Sequence, residues 1–350
     1  MKRGKALVVG ATGVVGRYLL MHLLGRGEWD VLALSRRRPD VAGDYLHLCA
    51  DLTDAHDCRT SLAGHRDLTH VFYAAYLDQP DTASLARVNT AMLDNVVEAA
   101  ERAAPGLRHV NLVEGTKWYG SHLGPFKTPA KESDPRHMPP NMYYAQQDAL
   151  EARQHGKAWS WSAVRPHAVC GFSLGSPMNL TLVLAVYASI SKELGLPLAF
   201  PGKPGAYRSL YQCTDSGLLA RAIEWMATQP QCANQAYNIT NGDLFRWENL
   251  FPRFARFFDM ELAPPRHISL TRLMADKAEL WQRIAARHGL APHSYEQLAG
   301  WAFGDFVFGS DYDIVSDTGK ARRAGFSESL DSEQMFLDLF SQFRAARVIP

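Results

Sequence analysis

The chain has 350 residues, with 37 Lys and Arg against 36 Asp and Glu, a formal net charge of +1, and 47% hydrophobic and 21% charged residues. This balance excludes a disordered chain and a nucleic-acid binder held by a strongly basic surface. At about 150 residues per domain the length predicts two domains or one enlarged one, with enough buried surface to need no disulfide or metal staple.

The first 170 residues alternate strand and helix signals. Ala6-Leu-Val-Val9 is a continuous apolar run, the mark of a strand buried on both faces. Gly10-Ala-Thr-Gly13-Val-Val-Gly16 follows, and then Val14, Val15, Tyr18, Leu19, His22 and Leu23 recur at helical spacing. Further strands are predicted at 31–34, 71–74, 109–113 and 161–164, with an amphipathic helix through Leu85, Val88, Met92, Val96 and Ala100. A third strand is expected to end in Cys49-Ala-Asp51-Leu52. Strands alternating with helices predict a parallel sheet covered on both faces. Past residue 170 the rhythm changes: Pro197, Pro201, Gly202, Pro204 and Gly205 punctuate the chain, and 264–310 is rich in Trp, Phe and Leu. The expectation is α/β: a doubly wound parallel sheet over 1–170 and a smaller, mostly helical substrate lobe over 171–350, intertwined with the sheet rather than joined by a linker.

A strand, then Gly-x-x-Gly-x-x-Gly, then a helix is the context of a dinucleotide-binding loop. Gly10 allows the tight turn, Gly13 lets the backbone approach a pyrophosphate, and Gly16 lets the helix pack close to the sheet; the anion then sits on a helix N-terminus. Twenty residues after Gly16 stands Arg36, followed by Arg37, at the end of the second strand. An Asp or Glu near there would hold a ribose 2′-hydroxyl and repel a 2′-phosphate, whereas a guanidinium matches phosphate geometry. NADPH is therefore expected rather than NADH, the competing reading being a solvated basic run. Asp51 is a candidate acceptor for the adenine amino group, against a plain loop aspartate.

After the strand 109–113 comes Glu114-Gly-Thr-Lys117-Trp-Tyr119, and later Asn141-Met-Tyr143-Tyr144, which reads as a helix start. Short-chain dehydrogenases place a Lys four residues after the catalytic Tyr, but here Gln147 and Asp148 occupy those positions. A different cation must serve Tyr143, and Lys117, just beyond a strand's C-terminal end, is the candidate. A loop lysine is more often solvated; the missing partner of Tyr143 is what raises Lys117. Tyr144 is the immediate rival of Tyr143.

These residues resemble the progesterone 5β-reductase and iridoid synthase-like enone reductases, the PRISE family of extended short-chain dehydrogenases. The likeness runs through Gly10-x-Thr12-Gly13-x-x-Gly16, Arg36-Arg37, Thr69-His-Val-Phe-Tyr73, Gly115-Thr-Lys117-Trp-Tyr119, Gly124-Pro-Phe126 and Asn141-Met-Tyr143-Tyr144. It continues through Arg165-Pro166, Gly171-Phe-Ser173, Met178-Asn-Leu180, 238–243, 303–305 and Ile349-Pro350. The resemblance implies that Lys117 and Tyr143 are catalytic. It also implies that Thr12, Gly13, Val14, Arg36, Arg37, Asp51, Leu52, Ala75, Val169, Ser176 and Met178 contact NADPH, and that Phe126 faces the substrate, with Phe303 in the pocket. Trp118 stands where the family has a His, Ala302 where it tends to have an aromatic, and 119–124 is longer than the matching plant stretch. The reaction implied is 1,4-reduction of an α,β-unsaturated carbonyl. The alternatives are a carbonyl (1,2-) reductase with the same pair, and a regulator that senses NADP(H) without turnover.

Other signals are weaker. Gly171-Phe-Ser173-Leu-Gly175 matches a nucleophile elbow, but Pro177 and Asn179 fall where its helix should begin. No Cys/His cluster predicts a metal. Cys49, Cys58, Cys170, Cys213 and Cys232 contain no Cys-x-x-Cys pair, which fits a reduced cytoplasm. The apolar run before Gly10 is too short for a signal-peptide core and cleavage site, and 178–190 falls short of the ~20 residues of a membrane span. The expected partner is a small-molecule enone, with no nucleic acid and no membrane; a homodimer is compatible with the sequence.

Overall fold

The computed structural model describes residues 3–350. Its frame is a seven-stranded parallel sheet. The strands are β1 (Gly4–Val9), β2 (Trp29–Leu34), β3 (Leu46–Leu48), β4 (Leu68–Tyr73), β5 (His109–Val113), β6 (Ser160–Arg165) and a last strand, Gln235–Asn238. In space they run β3–β2–β1–β4–β5–β6 and then Gln235–Asn238. Ala6 to Val9 of β1 are wholly buried, which explains their unbroken apolar run.

Four helices of the first half cover the faces: α1 (Val14–Arg26), α2 (Ala55–Leu62), α3 (Thr82–Ala103) and α4 (Met142–Gln154). α2, α3 and α4 pack in a row on one face, and α1 packs with helix Ser216–Thr228 on the other. The chain order reverses between β1 and β4, so a crevice opens at their C-terminal ends, where sheets of this kind hold ligands. β3 stops at Leu48, so Asp51 lies in the loop beyond it.

The sheet is not confined to residues 1–170. Its edge strand is Gln235–Asn238, paired with β6 from Gln235↔Ser162 to Asn238↔Arg165. Helix Ser216–Thr228 is fastened by Glu224, which accepts from Trp29 Nε1 at 2.9 Å and bonds His22 Nε2 at 2.7 Å. The remainder is a helical lobe around α5 (Leu180–Glu193), buried all round from Leu180 to Ser191. α5 shares one core with Phe200, Trp247, Phe254, Phe308, Phe336 and Phe340. That helix begins five residues after Gly175, so Ser173 stands on no strand–turn–helix elbow. No helix among the described residues is long and apolar enough to cross a membrane.

Two histidines are buried in the sheet. His109 holds Ser160 Oγ at 2.9 Å and Ser162 Oγ at 2.7 Å, and the His70 ring lies edge-on to Trp29 at 4.8 Å. Burial pushes His70 down to about 4 and His109 to about 3, the first helped by Arg108 and the second by His70. In the unfolded chain both titrate near ~6.5. The unfolded state therefore binds more protons as pH drops from that value toward 3–4, and stability falls over the same window. The melting temperature should drop across it, and less so for His109→Gln; a variant as acid-sensitive as wild type would exclude His109 as a contributor.

Candidate active site

The crevice holds a cavity of about 460 Å³. Gly10 forms its floor at φ +77°, a conformation side chains disfavour, and a Cβ there would lie 2.8 Å from the Ala75 backbone. Gly16 does not line the cavity. A Cβ on it would come within 2.3 Å of the Gly10 carbonyl oxygen, so its role is the close seating of α1. Gly13 precedes α1 with no side-chain cap, leaving the first N–H groups of the helix free for an anion. Thr12, Gly13 and Val14 line this end.

Arg36 and Arg37 follow β2 on the cavity's edge, both exposed. Neither guanidinium makes a hydrogen bond or ion pair among the described residues, though Arg36 helps lower the Asp51 carboxyl, whereas Arg38 stacks on Tyr45 at 4.9 Å. Asp51 and Leu52 line the same end. Asp51 Oδ1 accepts from Thr53 N at 2.9 Å and Thr53 Oγ1 at 2.8 Å, bonds that hold its carboxyl below the usual range. Ala75, Val169, Ser176 and Met178 line the middle, Met178 half-exposed at the rim. The uncapped helix and the glycine cradle fit a nicotinamide dinucleotide.

Lys117 and Tyr143 line the inner end of the same cavity. Lys117 sits in the single turn Thr116–Tyr119 beyond β5, and Tyr143 in the first turn of α4. Asn141 joins the two. Its Oδ1 caps α4 by accepting from Tyr143 N at 2.9 Å, and its Nδ2 donates to the Lys117 carbonyl at 2.9 Å. The Tyr143 hydroxyl lies against Gly115, where a Cβ would stand 3.1 Å from it. Burial, and then the nearby Glu114 carboxylate, hold this phenol well above its ordinary pKa, so it is protonated at neutral pH. Burial lowers Lys117, while Asp78 opposes that shift. The Lys117 ammonium stands 5.3 Å from the Phe306 ring centre.

Tyr144 faces elsewhere. Its hydroxyl donates to the Trp118 carbonyl and accepts from His137 N at 2.7 Å, so it is committed to structure. Gln147, at the position of the usual lysine, accepts from Arg165 Nη2 at 3.1 Å.

Phe303 lines the cavity, and Phe126 does not. Phe126 packs instead on Trp118, Tyr119, Ala130 and Tyr144. Phe306 also lines the cavity, and sequence reasoning assigned no role to Asn141, Asp78 and His167. Of these only Asn141 carried a signal, an N-cap residue at a helix start. His167, with Nδ1 2.6 Å from Thr116 Oγ1, lines the cavity and is pushed by burial to about 3, so its ring is neutral.

Residues 49–350 match the PRISE-like Rossmann-fold domain model. The chain belongs to the PRISE family. It is 32% identical to the 3-oxo-Delta(4,5)-steroid 5-beta-reductase of Arabidopsis thaliana, over 99% of this chain and 93% of that one. It is 33% identical to an (S)-8-oxocitronellyl enol synthase of Nepeta racemosa with the same coverage, and 31% to a short chain dehydrogenase of Penicillium aethiopicum over 99% of each. Among solved structures, the Thermus thermophilus UDP-glucose 4-epimerase in complex with NAD superposes with a TM-score of 0.68 at 17% identity, over 98% of this chain and 99% of that one. The PRISE protein is thus an oxidoreductase on the extended short-chain dehydrogenase fold.

Proposed function

We propose that this PRISE protein reduces the C=C bond of α,β-unsaturated carbonyls with NADPH, using Tyr143 and Lys117. The observation that carries the reading is that Tyr143 and Lys117 line the same cavity as Arg36 and Arg37. Its relatives, a steroid 5-beta-reductase and enol synthases, support the same chemistry. Gly10, Gly13 and the N-terminus of α1 would hold the pyrophosphate, and the two arginines the 2′-phosphate. When bound, NADPH supplies a hydride from nicotinamide C4 to the β-carbon of the substrate.

Negative charge then gathers on the substrate carbonyl oxygen. A hydroxyl aimed at that oxygen stabilises the transition state more than the ground state. Tyr143, kept protonated by its buried setting, is that donor. Lys117, which lines the same cavity and makes no ion pair among the described residues, adds positive potential there. Apolar walls from Phe303, Phe306, Val307 and Ile314 exclude water around the substrate.

Incubation with NADPH and 2-cyclohexen-1-one tests the reading. The expected product is cyclohexanone; an allylic alcohol would overturn 1,4-reduction in favour of attack on the carbonyl carbon, and no NADPH oxidation with any enone would leave only a sensor.

A further inference from the structure

The reaction read above consumes one proton per turnover, because a hydride adds to a neutral substrate and a neutral ketone leaves. Glu114, between β5 and Gly115, is placed to supply it. Its side chain is wholly buried. Oε2 accepts from Arg165 Nε at 2.7 Å, while Oε1 has no hydrogen-bond partner among the described residues. A buried polar atom left unpaired is costly, so Oε1 calls for a proton or a transient partner.

Glu114 stands between two cavities. It lines the one that holds Tyr143, close enough to act electrostatically on that phenol, and a Cβ on its neighbour Gly115 would stand 3.1 Å from the Tyr143 hydroxyl. On its other side the Arg165 guanidinium lies over the Trp118 ring at 3.6 Å and donates through Nη1 to Tyr119 Oη at 3.2 Å and through Nη2 to Gln147 Oε1 at 3.1 Å. Arg165 and Gln147 line a second cavity, of about 650 Å³, with Glu151 and Lys320, at the sheet edge by Gln235 and Ala236. Tyr143, Gln147 and Glu151 are spaced four apart on α4, so one face of that helix runs from the first cavity to the second.

We propose that Glu114 relays the consumed proton from the second cavity to the Tyr143 hydroxyl. This rests on Tyr143 being the donor to the substrate. Tyr143 O–H breaks as its proton passes to the enolate oxygen; the proton on Glu114 Oε1 then passes to the phenolate oxygen. The Glu114 carboxylate, held by Arg165, takes a replacement proton from water in the second cavity. The enol relaxes to the ketone by gaining a proton at the α-carbon and losing the one on oxygen, so the net uptake is one proton.

The acidity of the groups suits the transfer. Burial pushes the Glu114 carboxyl up to about 7 against the pull of Arg165. The charged and titratable groups around it are Arg165 from β6, Arg136 from the loop before α4, and Glu151 and Tyr143 from α4. A carboxyl poised near neutral pH both gives and regains a proton readily. The raised pKa of Tyr143 makes its phenolate a strong acceptor.

The test is Glu114→Gln in the full-length enzyme with NADPH and 2-cyclohexen-1-one. The expected result is a kcat lower by on the order of 10²-fold, a larger solvent deuterium isotope effect, and a smaller primary effect from C4-deuterated NADPH, with the Kd for NADPH unchanged. Glu114→Asp should restore part of the rate. Without turnover, infrared titration should show a protonated carboxyl band with a midpoint of about 7 that Glu114→Gln removes. An unchanged solvent isotope effect in a folded, active Glu114→Gln enzyme overturns the relay. If that variant does not fold, Glu114→Asp must change the solvent isotope effect; an unchanged effect overturns the relay equally. A wild-type enzyme that turns over no enone sinks the reading of the reaction, and the relay with it.

Discussion

Tyr143→Phe should lower kcat by about 10²–10³-fold while the Kd for NADPH stays at its wild-type value. The substitution keeps the ring and removes one oxygen. A single preorganised donor at a developing oxyanion contributes on the order of 3–4 kcal/mol, the whole of that loss. Tyr144→Phe is the matched control. Its hydroxyl bridges Trp118 and His137, so its removal should cost ~1–2 kcal/mol of stability and spare the rate constant. Initial rates with saturating enone, together with NADPH fluorescence titration, separate the two. A Tyr143→Phe enzyme with wild-type kcat would end the donor role.

Changing Arg36 and Arg37 together to Ala should raise the Kd for NADPH by on the order of 10²-fold and leave that for NADH nearly unmoved. Hydrogen bonds to a charged partner contribute ~1.5–3 kcal/mol each, reduced here because both guanidinia are exposed and screened by salt. The decisive measurement is the ratio of the two constants. Equal losses for both coenzymes would show that the arginines serve the fold of the loop and not the 2′-phosphate.

Much of the frame was legible because its strands are buried on both faces. Ala6–Val9 and His109–Val113 can be read as strands with no knowledge of what surrounds them. The last strand could not be. Gln-Ala-Tyr-Asn is short and half polar, and only the free edge of β6 makes it a strand. At the site, local spacing singled out Gly10, Gly13 and Arg36, and the glutamine one turn after Tyr143 singled out Lys117; all four line the cavity. That Phe126 lies off the cavity and Phe306 on it was not legible, because the direction of a side chain on a loop or a short helix depends on tertiary packing that no periodicity records. The Glu114–Arg165 pair joins residues 51 apart in the chain and becomes visible only once β5 and β6 lie side by side.

The late arrival of that edge strand bears on how the protein is made. During vectorial synthesis β6 emerges some seventy residues before the segment that covers it, and an uncovered strand invites pairing with foreign chains. Helix Ser216–Thr228, which packs against α1, also follows β6 in the chain. A nascent chain halted near residue 170 therefore holds most of a nucleotide-binding layer with one flank open, and the two halves cannot be exchanged between homologues as cassettes without carrying residues 216–238 along with the first.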